Sequence, residues 1–370
     1  MNRRERKDRK QKSEASADAL PVLITGGAGF IGTNLAHEYL ASGKKVIVYD
    51  NLSRPGVEMN LRWLKETHDS NLEVIIADIR DRITLEQAVR KAGRVYHLSA
   101  QVAVTTSIDD PIDDFEINLR GTLNVLEAMR AMECPPFLVF TSTNKVYGKL
   151  EDIELTSTFS RYEPVDEPTR RSGIDESRPL DFHSPYGCSK GAADQYVLDY
   201  ARIYDLPTVV FRMSCIYGPH QHGTEDQGWV AHFLISALNS EPITLYGDGR
   251  QVRDILYVED LVKALVTAAD SIQLTRGRVF NIGGGPENTA SPREILDLIK
   301  SGYAINPRID YGFWRKGDQR YYVSNTSAFN EITGWKPTVG KREGMERLVS
   351  WLIANGKTRI KQDRAQEVVG

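Results

Sequence analysis

From Pro21 onward, short continuous apolar runs alternate with longer stretches whose apolar residues recur at helical spacing. The runs are Val22–Thr25, Lys45–Asp50, Leu72–Ala77, Arg94–Leu98, Phe137–Phe140, Thr208–Phe211 and Arg278–Ile282. They are rich in β-branched residues and lack strict polar alternation, the pattern of parallel strands buried on both faces. Between them, Leu35, Tyr39 and Leu40 share one helix face, as do Leu123, Leu126 and Met129. Strand–helix alternation predicts an α/β chain with a doubly wound parallel sheet and helices on both faces. Regularity fades after Leu150, and the Glu-, Pro-, Arg- and Ser-rich stretch 151–182 reads as an irregular excursion over the edge of a site.

The pattern divides the chain. Residues 1–19 crowd Arg3, Arg4, Arg6, Lys7, Arg9, Lys10 and Lys12 with almost no apolar partners, so a disordered basic tail is expected. No apolar h-region follows these charges, which argues against a signal peptide. Residues 20–218 are expected to form the sheet domain, with 276–289 returning to it. Segments 219–275 and 290–350 are expected to form a smaller discontinuous lobe for substrate, and 351–370 a C-terminal tail. No repeat of 20–50 residues is evident.

The first strand runs into Gly26-Gly27-Ala28-Gly29-Phe30-Ile31-Gly32 and then a helix. Gly26, Gly29 and Gly32 are spaced GxxGxxG: one glycine for the tight turn, one for approach of a pyrophosphate, one for close helix–strand packing. The free amides and positive dipole end of the helix then face the anion. Asp50, about twenty residues on, ends the second strand where an acid grips both ribose hydroxyls and repels a 2′-phosphate. This favours NAD over NADP, and the fold is expected to be of Rossmann type. Asp78-Ile79, ending the third strand, is placed to meet the adenine ring, with a loop cap as the alternative for Asp78.

Tyr186 and Lys190, four residues apart, project from one helix face about a turn apart. A phenol ordinarily titrates near pH 10. A neighbouring ammonium and the positive nicotinamide ring would both lower that value, making Tyr186 a base. The strand Phe137–Phe140 ends in Thr141-Ser142-Thr143, at the carboxyl end of a strand where open α/β sheets bind ligands. Thr143 can hydrogen-bond the oxygen that loses or gains its proton.

Composition narrows the function classes. A net charge of −3 argues against a nucleic-acid footprint. No apolar run approaches the roughly 20 residues that cross a bilayer. Cys134, Cys188 and Cys215 form no CxxC pair, which fits a reducing cytoplasm and gives no metal site. His220-Gln-His222 lacks a third ligand at a suitable spacing, so no metal is expected.

These motifs, with His97-Leu-Ser-Ala100, Asn118 and Val252-Arg253-Asp254, resemble the extended short-chain dehydrogenase/reductase family over roughly residues 20–350. The resemblance implies bound NAD along Gly26, Gly29, Phe30, Ile31, Gly32, Asp50, Asn51, Asp78, Ile79, Leu98, Ala100 and Gln101, reaching Tyr186 and Lys190. It implies Thr143, Tyr186 and Lys190 as a catalytic triad, and Asn118 as support for the lysine through water. Arg253 would bind the diphosphate or ribose of a nucleotide-linked sugar, with Asn144, Lys145, His183 and Gln227 also along the substrate. A packed or loop-capping histidine is the alternative at His183.

Within the family, the branch of CDP-sugar 2-epimerases looks most similar, through Thr141–Gly148, Leu180–Tyr196 and Asp226–Trp229. A homodimer or homotetramer follows by analogy. A 4,6-dehydratase would place an Asp-Glu acid pair where Asn144-Lys145 stands. A C4-epimerase shares the chemistry. A noncatalytic NAD-binding scaffold would typically lose Tyr186 or Lys190.

Overall fold

The computed structural model describes residues 19–68, 70–315, 317–356 and 358. The basic tail expected at 1–19 lies outside them apart from Ala19.

All seven apolar runs join one parallel sheet: β1 (Val22–Thr25), β2 (Val46–Asp50), β3 (Leu72–Ile76), β4 (Arg94–His97), β5 (Phe137–Thr143), β6 (Thr208–Met213) and β7 (Arg278–Ile282). Their order is β7-β6-β5-β4-β1-β2-β3. The direction of winding reverses between β1 and β4, where Val22 registers with both Val46 and Arg94. Open sheets bind ligands outside the strand ends at such a reversal. Successive residues face opposite cores: Val22, Ile24 and Val48 enter one, Leu23, Ile47 and Val95 the other.

Three strands differ from expectation. β5 and β6 run three and two residues further, with Thr143 opposite Met213. β3 has Glu73 and Ile76 exposed, because it is the edge strand and has a neighbour on one side only.

The second lobe has its own core, formed by helices Trp229–Leu238, Pro292–Tyr303 and Lys341–Ala354. The last of these corrects the expected tail, since Leu352 and Ile353 are buried. Helix Val258–Asp270, expected in this lobe, instead packs its Leu261, Val262 and Leu265 with the first core beside helix Phe30–Ala41. The excursion over 151–182 is more regular than its composition suggests. It holds a hairpin, Leu155–Ser157 with Tyr162–Pro164, and a helix, Glu167–Ser172.

β6 passes through Ser214 into a short strand, Cys215–Tyr217, that pairs with Val252–Tyr257 of a second sheet. The two lobes therefore share a continuous backbone crossing beside β5. No helix among the described residues is long and apolar enough to cross a membrane.

Helix Ser184–Tyr204 is fastened to the sheet by a buried ion pair. Arg212 of β6 donates two 2.9 Å bonds to Asp194, and its third nitrogen reaches the Tyr147 hydroxyl at 3.1 Å. Removing one partner leaves an uncompensated buried charge. Asp194→Ala should therefore lower unfolding free energy by roughly 3–5 kcal/mol, read from urea denaturation against wild type. A loss below about 1 kcal/mol, the surface-pair range, would show that the pair does not fasten the helix.

Candidate active site

Gly26 holds φ +70°, and a side chain there would meet the Ser99 amide nitrogen at 2.8 Å. At Gly32 a Cβ would lie 2.2 Å from the Gly26 carbonyl oxygen, so only glycine lets helix Phe30–Ala41 approach the turn. Gly29 begins that helix without a side-chain cap, leaving first-turn amides for an anion. Phe30 and Ile31 pack partly buried against the first core.

Asp50 accepts from the Ala28 amide at 3.1 Å and the Leu52 amide at 2.8 Å, so its carboxylate sits beside the turn. Burial pushes that carboxyl up, opposed by the backbone amides and by Arg54. A glycine turn, open helix amides and an adjacent acid fit a dinucleotide's pyrophosphate and ribose.

Other expected cofactor residues have prior engagements. Asn51 donates to Asp78 at 2.9 Å, and Arg80 pairs with the same carboxylate at 2.7 Å, holding it well below the usual carboxylate range. The Asp78 carboxylate also accepts from the Arg80 amide at 2.9 Å, so it caps its own loop as well. Ile79 is buried against Gly121, whose Cβ would meet it at 2.7 Å. Leu98 donates its amide to Thr25, and Ala100 is half-buried on the following loop. Gln101 spends its side-chain amide on both backbone groups of Ala103.

The triad residues converge. Thr143 is the last residue of β5, and its hydroxyl lies against that of Tyr186. Tyr186 is buried, which pushes its phenol up to about 12 despite Thr143. The expected lowering of that phenol is therefore absent from the protein alone. The Lys190 ammonium donates to the Thr141 carbonyl at 2.7 Å and lies 4.3 Å over the Phe140 ring. Burial pushes Lys190 down to about 8, while Asp194 and Asp114 pull it back up.

Ser184 starts the helix at φ +64°, and its hydroxyl caps Gly187 at 3.3 Å. Positive φ in a residue preceding proline is uncommon strain and redirects the chain just before Tyr186.

Beneath the triad lies a polar network that local motifs do not announce. Asn118, in a π-helical turn over Glu116–Arg120, donates to Asp114 at 3.0 Å and to Ser189 at 3.2 Å. Ser189 precedes Lys190 in the helix and donates in turn to Asp114, so this network adjoins the lysine along the chain. Ser107 caps the Tyr186 amide at 3.2 Å. His97 bridges Thr25 at 2.7 Å and Thr122 at 3.1 Å, and burial beside Lys190 pushes it down to about 3, keeping it neutral.

Substrate-side residues separate into groups. Asn144 donates to Gln319 at 3.1 Å, and Gln319 in turn reaches the Gly148 carbonyl at 2.5 Å. Lys145 and Arg253 meet at Asp318, at 3.7 and 2.8 Å. Asp318 and Gln319 lie far along the chain in no recognisable motif, so only the fold discloses them. His183 bonds Asp181 at 2.8 Å beside a cavity of about 320 Å³ lined by Lys149, Asp152 and Arg178. That cavity lies beside the helix start, and neither Thr143 nor Lys190 lines it.

Gln227, expected on the substrate, accepts from Arg54 in the loop after β2. The same segment is stitched to the dinucleotide half at further points, His222 meeting the Asn60 side-chain oxygen at 3.1 Å. Asn34 donates to Pro219 at 3.0 Å, and Asn60 spans Ala28 at 3.2 Å and His220 at 3.1 Å.

Fold and site together define an enzyme of short-chain dehydrogenase/reductase type with a second, separate lobe. The model of the NAD dependent epimerase/dehydratase family matches residues 22–283, and the chain belongs to that family. It is 44% identical over 339 residues to a CDP-paratose 2-epimerase of Salmonella typhi, covering 90% of this chain and 99% of that one. It is 31% identical to a putative UDP-glucose 4-epimerase of Methanocaldococcus jannaschii, over 91% and 100% of the two chains. Among solved structures, a UDP-glucose 4-epimerase of Thermus thermophilus in complex with NAD matches with a TM-score of 0.74. That protein is 32% identical, over 90% of this chain and 98% of that one.

The depressed Lys190 carries a consequence for stability. A lysine that falls from 10.5 unfolded to about 8 folded binds its proton less tightly in the native state. Stability therefore rises with pH between about 8 and 10.5, and below 8 the burial cost is fully present. Lys190→Met should raise the stability of the fold at pH 7, where the burial cost of the ammonium is fully present, while abolishing turnover. Thermal denaturation of both proteins at pH 7 checks this, and a destabilised Lys190→Met would contradict it.

Proposed function

We propose that this chain inverts the C2 carbinol centre of a CDP-linked sugar of the CDP-paratose/CDP-tyvelose or CDP-glucose type, through a 2-keto sugar held in the site. The observation that carries this reading is the near-full-length 44% identity with a CDP-paratose 2-epimerase. Asn144-Lys145 supports it against dehydration, because neither side chain readily serves as the acid that elimination of water requires.

A carbinol carbon without an acidic C–H is inverted by removing hydride, turning the flat ketone and returning hydride to its other face. NAD, when bound, supplies the reversible hydride acceptor and a positive ring. The protein's task is the proton. Tyr186 would take the C2 hydroxyl proton and later return it, with Thr143 hydrogen-bonding the same oxygen. Lys190, anchored on Thr141, would place a positive charge one helical turn from the phenolate that takes this proton. Burial of all three side chains excludes water that could trap the keto sugar.

We also propose a homodimer or homotetramer. Helices Val104–Asp109 and Pro111–Phe115 expose Ile108, Ile112 and Phe115, and the adjoining helix Ser184–Tyr204 exposes Tyr196, Ile203 and Tyr204. Light scattering should give a multiple of the 41.6 kDa chain mass, reduced towards the monomer by Ile112→Glu with Ile203→Glu. A monomeric wild type at micromolar concentration would refute the assembly.

The reaction itself is tested with deuterium at C2 of CDP-paratose or CDP-tyvelose. The label should persist at C2 of the inverted product, with no net cofactor consumed, because hydride leaves and returns within the site. Washout into solvent would mean proton abstraction and overturn the redox route. Inversion at C4 would leave that route standing and refute the choice of carbon.

A further inference from the structure

We propose that Asp114 is a positioning residue that acts through its charge: it is the counter-ion of the Lys190 ammonium, kept anionic by the donors Ser189 and Asn118. This rests on the reading of Tyr186 and Lys190 as the proton-transfer pair.

Hydrogen-bond directions fix the state of Asp114. The Gln101 amide donates to Asn118 Oδ1 at 3.0 Å, so the other terminal atom of that side chain is its nitrogen. That nitrogen faces Asp114 Oδ1 at 3.0 Å and Ser189 Oγ at 3.2 Å. Ser189 accepts from Asn118 and sends its single proton to Asp114 Oδ2, 2.5 Å away. Both oxygens of this fully buried side chain therefore accept, which is the pattern of a carboxylate and not of an acid.

A count of charges then singles it out. From its own helix Lys190 faces Asp194, which pulls it up hardest. Arg212 of β6 holds both Asp194 oxygens at 2.9 Å, so that pair brings no net charge. β4 supplies His97, kept neutral by burial, and β5 a carbonyl and a ring. Tyr186, one turn back, carries no charge while it holds its proton. Asp113, beside Asp114, is spent on Arg80 at 2.7 Å. Among the described residues, Asp114 is the charge that remains, reaching Lys190 from helix Pro111–Phe115.

A buried ammonium without a counter-ion gives up its proton, and an uncharged amine offers nothing to a phenolate. The hydrogen bonds of Asp114 run to Ser189 and Asn118, so it serves the reaction through Lys190 and not by touching substrate.

The test compares Asp114→Asn and Ser189→Ala holoenzymes with wild type, using CDP-paratose across neutral and alkaline pH. Asparagine fits the network: its amide can donate to Ser189 Oγ, whose proton then turns to the Tyr186 carbonyl at 3.2 Å. Asp114→Asn should move the alkaline limb of kcat towards acid by about one pH unit or more, the effect of losing one nearby opposite charge, with KM unchanged. Ser189→Ala keeps the anion, so it should lower kcat alike at every pH and leave the limb in place.

A second reading needs no turnover. Lys190 titrates at about 8 in the fold, so its contribution to Tm rises with pH from there. Losing the anion lowers the folded value further, and in Asp114→Asn that rise should begin at lower pH. In a Lys190→Met background the same substitution should not shift the profile.

An unmoved limb in Asp114→Asn, with kcat lowered alike at all pH, would make Asp114 a structural support and overturn the counter-ion. So would a Tm profile that Asp114→Asn shifts equally with and without Lys190. A limb moved by Ser189→Ala would overturn it too, and this arm stands even if Asp114→Asn fails to fold. The Tm shift in a protein that leaves C2 untouched would sink the proposed reaction and keep the counter-ion.

Discussion

An ammonium held out of water beside a phenol is the constraint around which much of this structure is arranged. Lys190 can be buried only because a carbonyl accepts from it, an aromatic face lies beneath it, and two carboxylates stand nearby. One of those carboxylates, Asp194, is itself buried and needs Arg212, which in turn needs Tyr147 and Asn281. The other, Asp114, needs Ser189 and Asn118. A single internal charge thus draws β5, β6, β7 and the helix of residues 184–204 into one polar framework. The same framework fixes the catalytic group within a hydrogen bond's tolerance.

The two lobes meet where that framework ends. Thr143 closes β5 and opens the turn that carries Asn144 and Lys145, and these reach across to Gln319 and Asp318 of the second lobe. The crossing at Ser214 ties the lobes again on the neighbouring strand, through its hydroxyl's 3.0 Å bond to the Asp254 carbonyl. Thr143, Tyr186 and Lys190 all belong to one lobe, while the cluster of Lys145, Arg253 and Asp318 draws on both. Their relative placement is therefore set by covalent continuity as well as by side-chain contacts.

How much of this could be read in the chain depends on the distance between interacting residues. Seven strands were legible because each is a local apolar run, and the glycine turn because three glycines and a flanking strand and helix lie within one short segment. Tyr186 and Lys190 were legible from helical spacing. The edge character of β3 was not, since its composition matches the buried strands and only sheet order exposes Ile76. Helix Val258–Asp270 shows the same limit: its apolar face is clear in the sequence, but the core that receives it lies more than 200 residues earlier, against helix Phe30–Ala41. The pairings of Arg212 with Asp194, and of Asp318 with Arg253 and Lys145, join positions whose local surroundings carry no periodic signal.

The stitching of residues 219–227 onto the dinucleotide half bears on time rather than on affinity. Asn34, Asn60 and Arg54 grip that segment from a helix, the next helix and the loop between them, and Asn60 also holds the glycine turn itself. Releasing that segment from the dinucleotide half breaks hydrogen bonds at all three residues. Where departure of a bound molecule waits on such a release, its residence is governed by the frequency of a loop motion and not by the sum of its own contacts. An enzyme that returns its hydride to the sugar it came from has no use for cofactor exchange, so slow release costs it no turnover.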